Sequence, residues 1–145
     1  VAGALFEASR HRPVRLQVNK ALSGAAPEAV ARDRATSINP AVFDAAALAL
    51  TASWQQYAFP GVPGHEPDPG LAAAGARQVS NAMGVIRALA PGAGAYVNEA
   101  DYFEPDWQAS FWGANYPRLR EIKQRYDPAN IFRVHHGVGS EVSGR

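Results

Sequence analysis

Tyr96-Val97-Asn98, then Asp101, Trp107, Phe111-Trp112-Gly113, Asn115, Arg118-Leu119, Lys123, Asp127-Pro128 and Phe132 form the stretch on which the reading of this chain turns. It gathers aromatic, Asn and Gly choices into under forty residues. Ala95 to Asn98 has the composition of a short strand. On a strand, Tyr96 and Asn98 leave one face, so a phenol and a carboxamide can address one planar ligand while Val97 points oppositely into a core. Asp106 is placed to cap a helix through Phe111, broken at Gly113. Asn115 and Pro117 start a second helix, on which Tyr116, Leu119, Ile122, Lys123 and Tyr126 recur at three and four before Asp127-Pro128 closes it. Trp107, Phe111, Trp112 and Tyr116 make an aromatic cluster at helical spacing, each large ring contributing about 2–3 kcal/mol when buried. Arg118, Lys123 and Asp127 read as solvated or paired charges, and Val134 to Ser140 as extended coil.

Upstream, Pro91-Gly92-Ala93-Gly94 ends a helix that Asp68-Pro69 begins, with Leu71, Gly75, Val79, Ala82, Met83, Ile86 and Leu89 along one stripe. Pro60, Gly61, Pro63, Gly64, Pro67 and Pro69 make the preceding segment a stiff loop. Asn39-Pro40 reads as the cap and first residue of a helix carrying Val42, Ala45, Ala46, Ala49 and Leu50; its end can run instead into a strand around Leu48 to Trp54. Pro27 opens a short surface helix within Ala25 to Ala35. Val14, Leu16, Val18 and Ala21 alternate at first with Arg15, Gln17 and Asn19, the pattern of a half-buried strand with a polar face. Strands and helices mixed without a strict βαβ rhythm predict an α+β fold.

At 145 residues and 47% hydrophobic content, the chain has the material for one ordinary domain. Its net charge is +1, with Lys and Arg scattered singly, so no basic stripe supports nucleic-acid binding. Cysteine is absent, which excludes a disulfide framework, a zinc ribbon and a thiol nucleophile within these residues. Val1 to Arg10 is neither long nor apolar enough for a signal peptide or a membrane span. His65 and the pair His135-His136 do not make a metal site, because adjacent histidines diverge in extended chain and no third ligand stands at a diagnostic interval. Gly92 and Gly94 are turn residues rather than a dinucleotide fingerprint.

The stretch from Tyr96 to Phe132 resembles the C-terminal signature of berberine-bridge-enzyme-like FAD-linked oxidoreductases, in the vanillyl-alcohol-oxidase fold superfamily. Asn19-Lys20-Ala21-Leu22-Ser23-Gly24, Asn39-Pro40-Ala41-Val42 and Pro60-Gly61-Val62-Pro63-Gly64-His65-Glu66-Pro67-Asp68 are similar to its fungal-type members. Proteins of this family are several times longer and carry their FAD-binding domain at the N-terminus. The resemblance thus implies that this chain, which opens on Val1, is the C-terminal part of such an enzyme. It implies part of an antiparallel sheet with helices packed on one face, followed by a C-terminal helical segment. Residues 1–98 would be the last part of the substrate domain, and residues 99–145 a segment returning to the absent FAD-binding domain, on which the aromatic cluster would dock.

By the same resemblance, the parent removes hydride from an alcohol, sugar or related C–H substrate and passes it to FAD, bound mainly by the absent domain. Tyr96 becomes the candidate base taking the hydroxyl proton, and Asn98 a cofactor contact. A phenol with the ordinary pKa of ~10 needs local stabilisation for that role. Gln17 and Asn19 occupy the sheet region that faces substrate in the family. They replace the carboxylate or Tyr with which some members help the base, and a solvated polar face accounts for them equally well. Many members are secreted, so the resemblance leans towards an extracellular protein. The competing reading is a non-catalytic interaction module, or a truncated gene product, that keeps the fold remnant and binds a partner through exposed Trp107, Phe111 and Trp112.

Overall fold

The computed structural model describes residues 1–18, 22 and 24–141. Helices and an antiparallel strand pair make it α+β, as expected. The chain divides into two compact units, each assembled from two separated stretches: Val1–Asn19 with Ala47–Pro91, and Lys20–Ala46 with Gly92–Arg145.

In the first unit, helix α1 (Ala2–His11) packs against the long helix α3 (Pro69–Leu89), and Ala8 and Ala82 are fully buried. The small residues allow close approach. Gly75 on α3 lies so near Ser53 that a Cβ there would collide with its hydroxyl, and Arg12 donates to the same Ser53 Oγ at 2.6 Å. Asp68 caps α3, its Oδ1 accepting from the Leu71 N–H at 2.9 Å, with Pro69 in the first turn as the sequence predicts. The Pro- and Gly-rich stretch before it carries no regular element; it is cross-tied by Phe59 N–H to the His65 carbonyl at 2.7 Å.

Strand β1 (Arg15–Gln17) pairs antiparallel with β2 (Leu48–Leu50) in the register Arg15 to Leu50, Leu16 to Ala49 and Gln17 to Leu48. The strand expected from Val14 onward is therefore shorter and not half-buried: all three residues of β1 are exposed, Leu16 included. The helix expected from Pro40 to Leu50 stops as a 3-10 turn, Pro40–Phe43, because Leu48–Leu50 takes ladder hydrogen bonds from β1 instead. That is the strand alternative recognised in the sequence. Helix α1 was not foreseen, although Ala4, Leu5, Ala8 and His11, the residues along it that are not exposed, recur at helical spacing.

The second unit holds α2 (Pro27–Arg34), the Pro40–Phe43 turn, α4 (Trp107–Trp112) and α5 (Tyr116–Tyr126). Its only buried apolar side chain among the described residues is Phe111. Polar staples take the place of a larger core. Asn115 Nδ2 lies 3.3, 3.0 and 2.9 Å from the carbonyls of Arg34, Thr36 and Ile38, and Arg118 donates to the carbonyl of Ala35. These bonds satisfy the chain as it leaves α2 and tie it to the start of α5. Gly113 breaks α4 from α5 at φ +53°, a backbone region that favours glycine. Among the described residues, no helix is long and apolar enough to cross a membrane.

Candidate functional site

Tyr96 does not stand on a strand. It precedes a 3-10 turn, Val97–Glu99, closed by the Glu99 N–H on the Tyr96 carbonyl at 3.0 Å, and among the described residues no neighbouring strand offers a ladder. Val97 is correspondingly not a core residue; it is 37% exposed. The turn nevertheless brings the expected pair together: Asn98 Nδ2 donates to Tyr96 Oη at 2.8 Å. Both side chains are exposed, Tyr96 at 46%. With one lone pair engaged, the phenol still has its O–H to donate, and Asn98 Oδ1 remains an acceptor.

The chain arriving at Tyr96 is held on its N-terminal side. Ala95 N–H donates to the Ser110 carbonyl at 2.7 Å, and Asn39 Nδ2 donates to that same carbonyl at 2.8 Å. Asn39 Oδ1 meanwhile caps the Pro40–Phe43 turn through the Ala41 N–H at 3.0 Å. Gln17, the other described candidate, ends β1 in the first unit with its side chain exposed. Asn19 lies outside the described residues.

The aromatic cluster faces inward within its unit. Trp107 meets Tyr116 edge-on at 5.7 Å and stacks with His136 at 5.3 Å, while Phe111 lies 6.0 Å from the His136 ring and is buried. The expected exposed patch of Trp107, Phe111 and Trp112 is thus corrected: Trp107 and Phe111 pack the C-terminal tail onto α4, and Trp112 is half-buried. The tail is not extended either. His136 adopts φ +57°, a turn that lays its ring on His135 at 3.8 Å instead of letting the two diverge, and His135 stacks in turn on Tyr102 at 3.9 Å. His135 Nε2 is 2.7 Å from the Tyr102 carbonyl, which only accepts, so that nitrogen carries the proton. Burial, then the neighbouring His135, push the His136 pKa down, against the opposing pull of Glu104 and Asp101.

Tyr116 and Asp127 are architectural. Burial and the hydrogen bond to Glu141 at 2.6 Å push the Tyr116 phenol up to about 12, so it stays protonated and anchors the tail. Lys123, followed by the backbone N–H groups of Ile131 and Phe132, holds the Asp127 carboxyl below its ordinary range. Among the described residues, no three His, Cys, Asp or Glu converge as a metal site. Two surface depressions, one beside Ala4, Ser80 and Gly84 and one of about 510 Å³ beside Trp107 and His136, include neither Tyr96, Asn98 nor Gln17. The phenol–amide pair therefore lies on open surface. Its uncharged donor and acceptor suit the polar edge of a flavin ring, but among the described residues nothing beside it resembles a pyrophosphate cradle.

The family model "Berberine and berberine like" matches residues 95–139, which include Tyr96, Asn98 and both histidines of the stack. The structure is similar to that of the VAO-type flavoprotein MtVAO713 from Myceliophthora thermophila C1, with a TM-score of 0.62 and 27% identity, over 77% of this chain and 18% of that one. Together these likenesses support a fragment of a berberine-bridge-like protein of the VAO fold. Similar curated relatives include the FAD-linked oxidoreductase ZEB1 of Gibberella zeae, 52% identical over 60 residues, covering 41% of this chain and 11% of that protein. The VAO-type flavoprotein oxidase VAO615 of Thermothelomyces thermophilus is 47% identical over 58 residues, covering 40% and 10%. The chain thus spans about a tenth of the length of the curated relatives it matches.

Proposed function

We propose that this chain is the C-terminal part of an FAD-dependent oxidoreductase that oxidises an alcohol, sugar or related C–H substrate, with Tyr96 as the base. The observation that carries the reading is the 2.8 Å hydrogen bond from Asn98 Nδ2 to Tyr96 Oη, in the open and inside the family-matched stretch. FAD, when bound, supplies the hydride acceptor. Tyr96, acting as its phenolate, would take the proton of the substrate hydroxyl on Oη as the C–H bond is broken and so become the neutral phenol; Asn98 Nδ2 donates to that oxygen, and its Oδ1 would be left as an acceptor for the cofactor. Gln17 offers a polar contact to substrate, and Asn19 is assigned the same role from its place in the sequence.

Most of the cofactor's binding surface is assigned to an N-terminal FAD-binding domain, because the phenol–amide pair has no cavity of its own. Secretion of the whole enzyme remains part of the proposal and rests on resemblance; finding the protein only in the cell pellet of its source would remove it. The interaction-module reading loses its footing, since the cluster it relied on is packed against His136 and Tyr116.

In the full-length protein, Tyr96→Phe should slow flavin reduction by about 10²–10⁴-fold in rapid-mixing measurements. An unchanged rate removes the base assignment. The 145-residue chain alone should bind FAD weakly or not at all in a flavin-fluorescence titration. Tight one-to-one binding would contradict the assignment of the cofactor to another domain.

A further inference from the structure

Asn39 lies 57 positions before Tyr96 in sequence, yet its carboxamide sits at the root of the segment that presents the phenol. The Ser110 carbonyl receives two donors, the Ala95 N–H at 2.7 Å and Asn39 Nδ2 at 2.8 Å. Asn39 Nδ2 is also 3.3 Å from the Ala109 carbonyl, so the amide spans the last turn of α4. Its Oδ1 is engaged by the Ala41 N–H, which fixes which end of the carboxamide faces α4.

Two glycines make room for it. A Cβ on Gly94 would stand 2.5 Å from Asn39 Nδ2 and 3.1 Å from the Ser110 oxygen; a Cβ on Gly113 would stand 2.6 Å from Asn39 Oδ1. The amide is therefore wedged between the backbone entering Tyr96 and the backbone leaving α4. Gly94 needs to be glycine for this close approach, not for a left-handed turn, since its backbone lies outside that region.

We propose that Asn39 is a positioning residue for Tyr96. It orients the Ser110 carbonyl, that carbonyl fixes the Ala95 N–H, and Ala95 fixes the direction in which the next residue projects its phenol towards Asn98. This rests on the reading of Tyr96 as the base, and it gives Asn39-Pro40-Ala41-Val42 a task beyond starting a turn. A misplacement of about 1 Å at a reacting group can cost about 10²-fold in rate, so a residue that never touches substrate can matter to turnover.

Asn39→Ser tests it, because serine keeps an acceptor for the Ala41 N–H but is too short to bond Ser110. In the 145-residue chain, the Ala95 amide should exchange hydrogen about tenfold faster and the Tyr96 ring and Asn98 amide resonances should shift. In the full-length protein, kcat should fall about 10- to 100-fold with KM within about twofold. Gly94→Ala, which leaves Asn39 in place but drives a methyl against its amide, should move the same signals in the same direction; it carries the test if Asn39→Ser does not fold. Unchanged Ala95 exchange and unchanged Tyr96 resonances in the folded variants overturn the proposal. Failure of the base reading is separate: Tyr96→Phe then reduces flavin at the wild-type rate while Asn39→Ser still frees Ala95.

Discussion

Asp127 does three jobs with two oxygens: it accepts from Lys123 and from the backbone N–H groups of Ile131 and Phe132 at 2.8 and 3.0 Å. The sequence showed a helix-closing Asp-Pro; only the structure shows that the same carboxylate organises the next five residues. Its folded pKa is lowered, so its contribution is complete above the ordinary carboxylate value of about 4 and is lost as pH falls through the lower folded value. His136 acts in a different window. Its folded pKa is also lowered, which favours the neutral ring in the fold, so stability is complete above about pH 6.5 and declines as pH falls towards the lowered value. The charged groups around it are His135, Asp101 and Glu104. We expect the melting temperature to fall between pH 7.5 and 5.5, and His136→Gln to flatten that dependence while leaving the loss below about pH 4. Equal slopes in both proteins between pH 7.5 and 5.5 would refute the assignment to His136.

At the level of elements, local signals read true and non-local ones did not. Asp68-Pro69 and Pro27 mark helix starts because caps and first turns depend on neighbours within four residues. Asp68→Ala should accordingly cost about 1 kcal/mol, read as a lower urea midpoint. The Pro40 helix was cut short by β1, a partner that lies before α2 in sequence, and no window around Val42 contains that fact. Ala95–Asn98 failed as a strand for the opposite reason: strand composition without a strand partner collapses to a turn. The Tyr96–Asn98 proximity was thus legible, although the geometry inferred for it was wrong. Asn39 and Asn115 were read as helix-start residues, and their larger role as staples reaching 70 or more residues away was not visible. Asn115→Ala should lower unfolding stability by about 1–3 kcal/mol, since the two N–H groups shared among three carbonyls are lost, and Asn115→Asp should be worse because an acceptor then faces acceptors. A neutral Asn115→Asp would show the staple to be idle.

For the molecule as a whole, both units are discontinuous, so neither exists in any single contiguous piece of the chain. Residues 92–145 alone contain α4 and α5 but not Asn39 or the Arg34 to Ile38 carbonyls that Asn115 serves. That peptide should show little protected helix by hydrogen exchange, and adding a peptide of residues 24–46 in trans should restore protection. Stable helices in the isolated 92–145 peptide would count against this account. Large apolar side chains left exposed in the chain, among them Trp54, Tyr57, Phe103 and Phe132, agree with the proposal that further protein surface covers it.

The staple from Asn115 to Thr36 spans 79 residues, and biosynthesis runs in one direction. At the usual pace of translation, roughly 4–16 s pass between the addition of Thr36 and that of the side chain its carbonyl is waiting for. During that interval the nascent stretch after α2 has water, or a chaperone, as its hydrogen-bonding company. The second unit therefore closes only after Asn115 has been added, and a ribosome that stalls before it leaves the unit open.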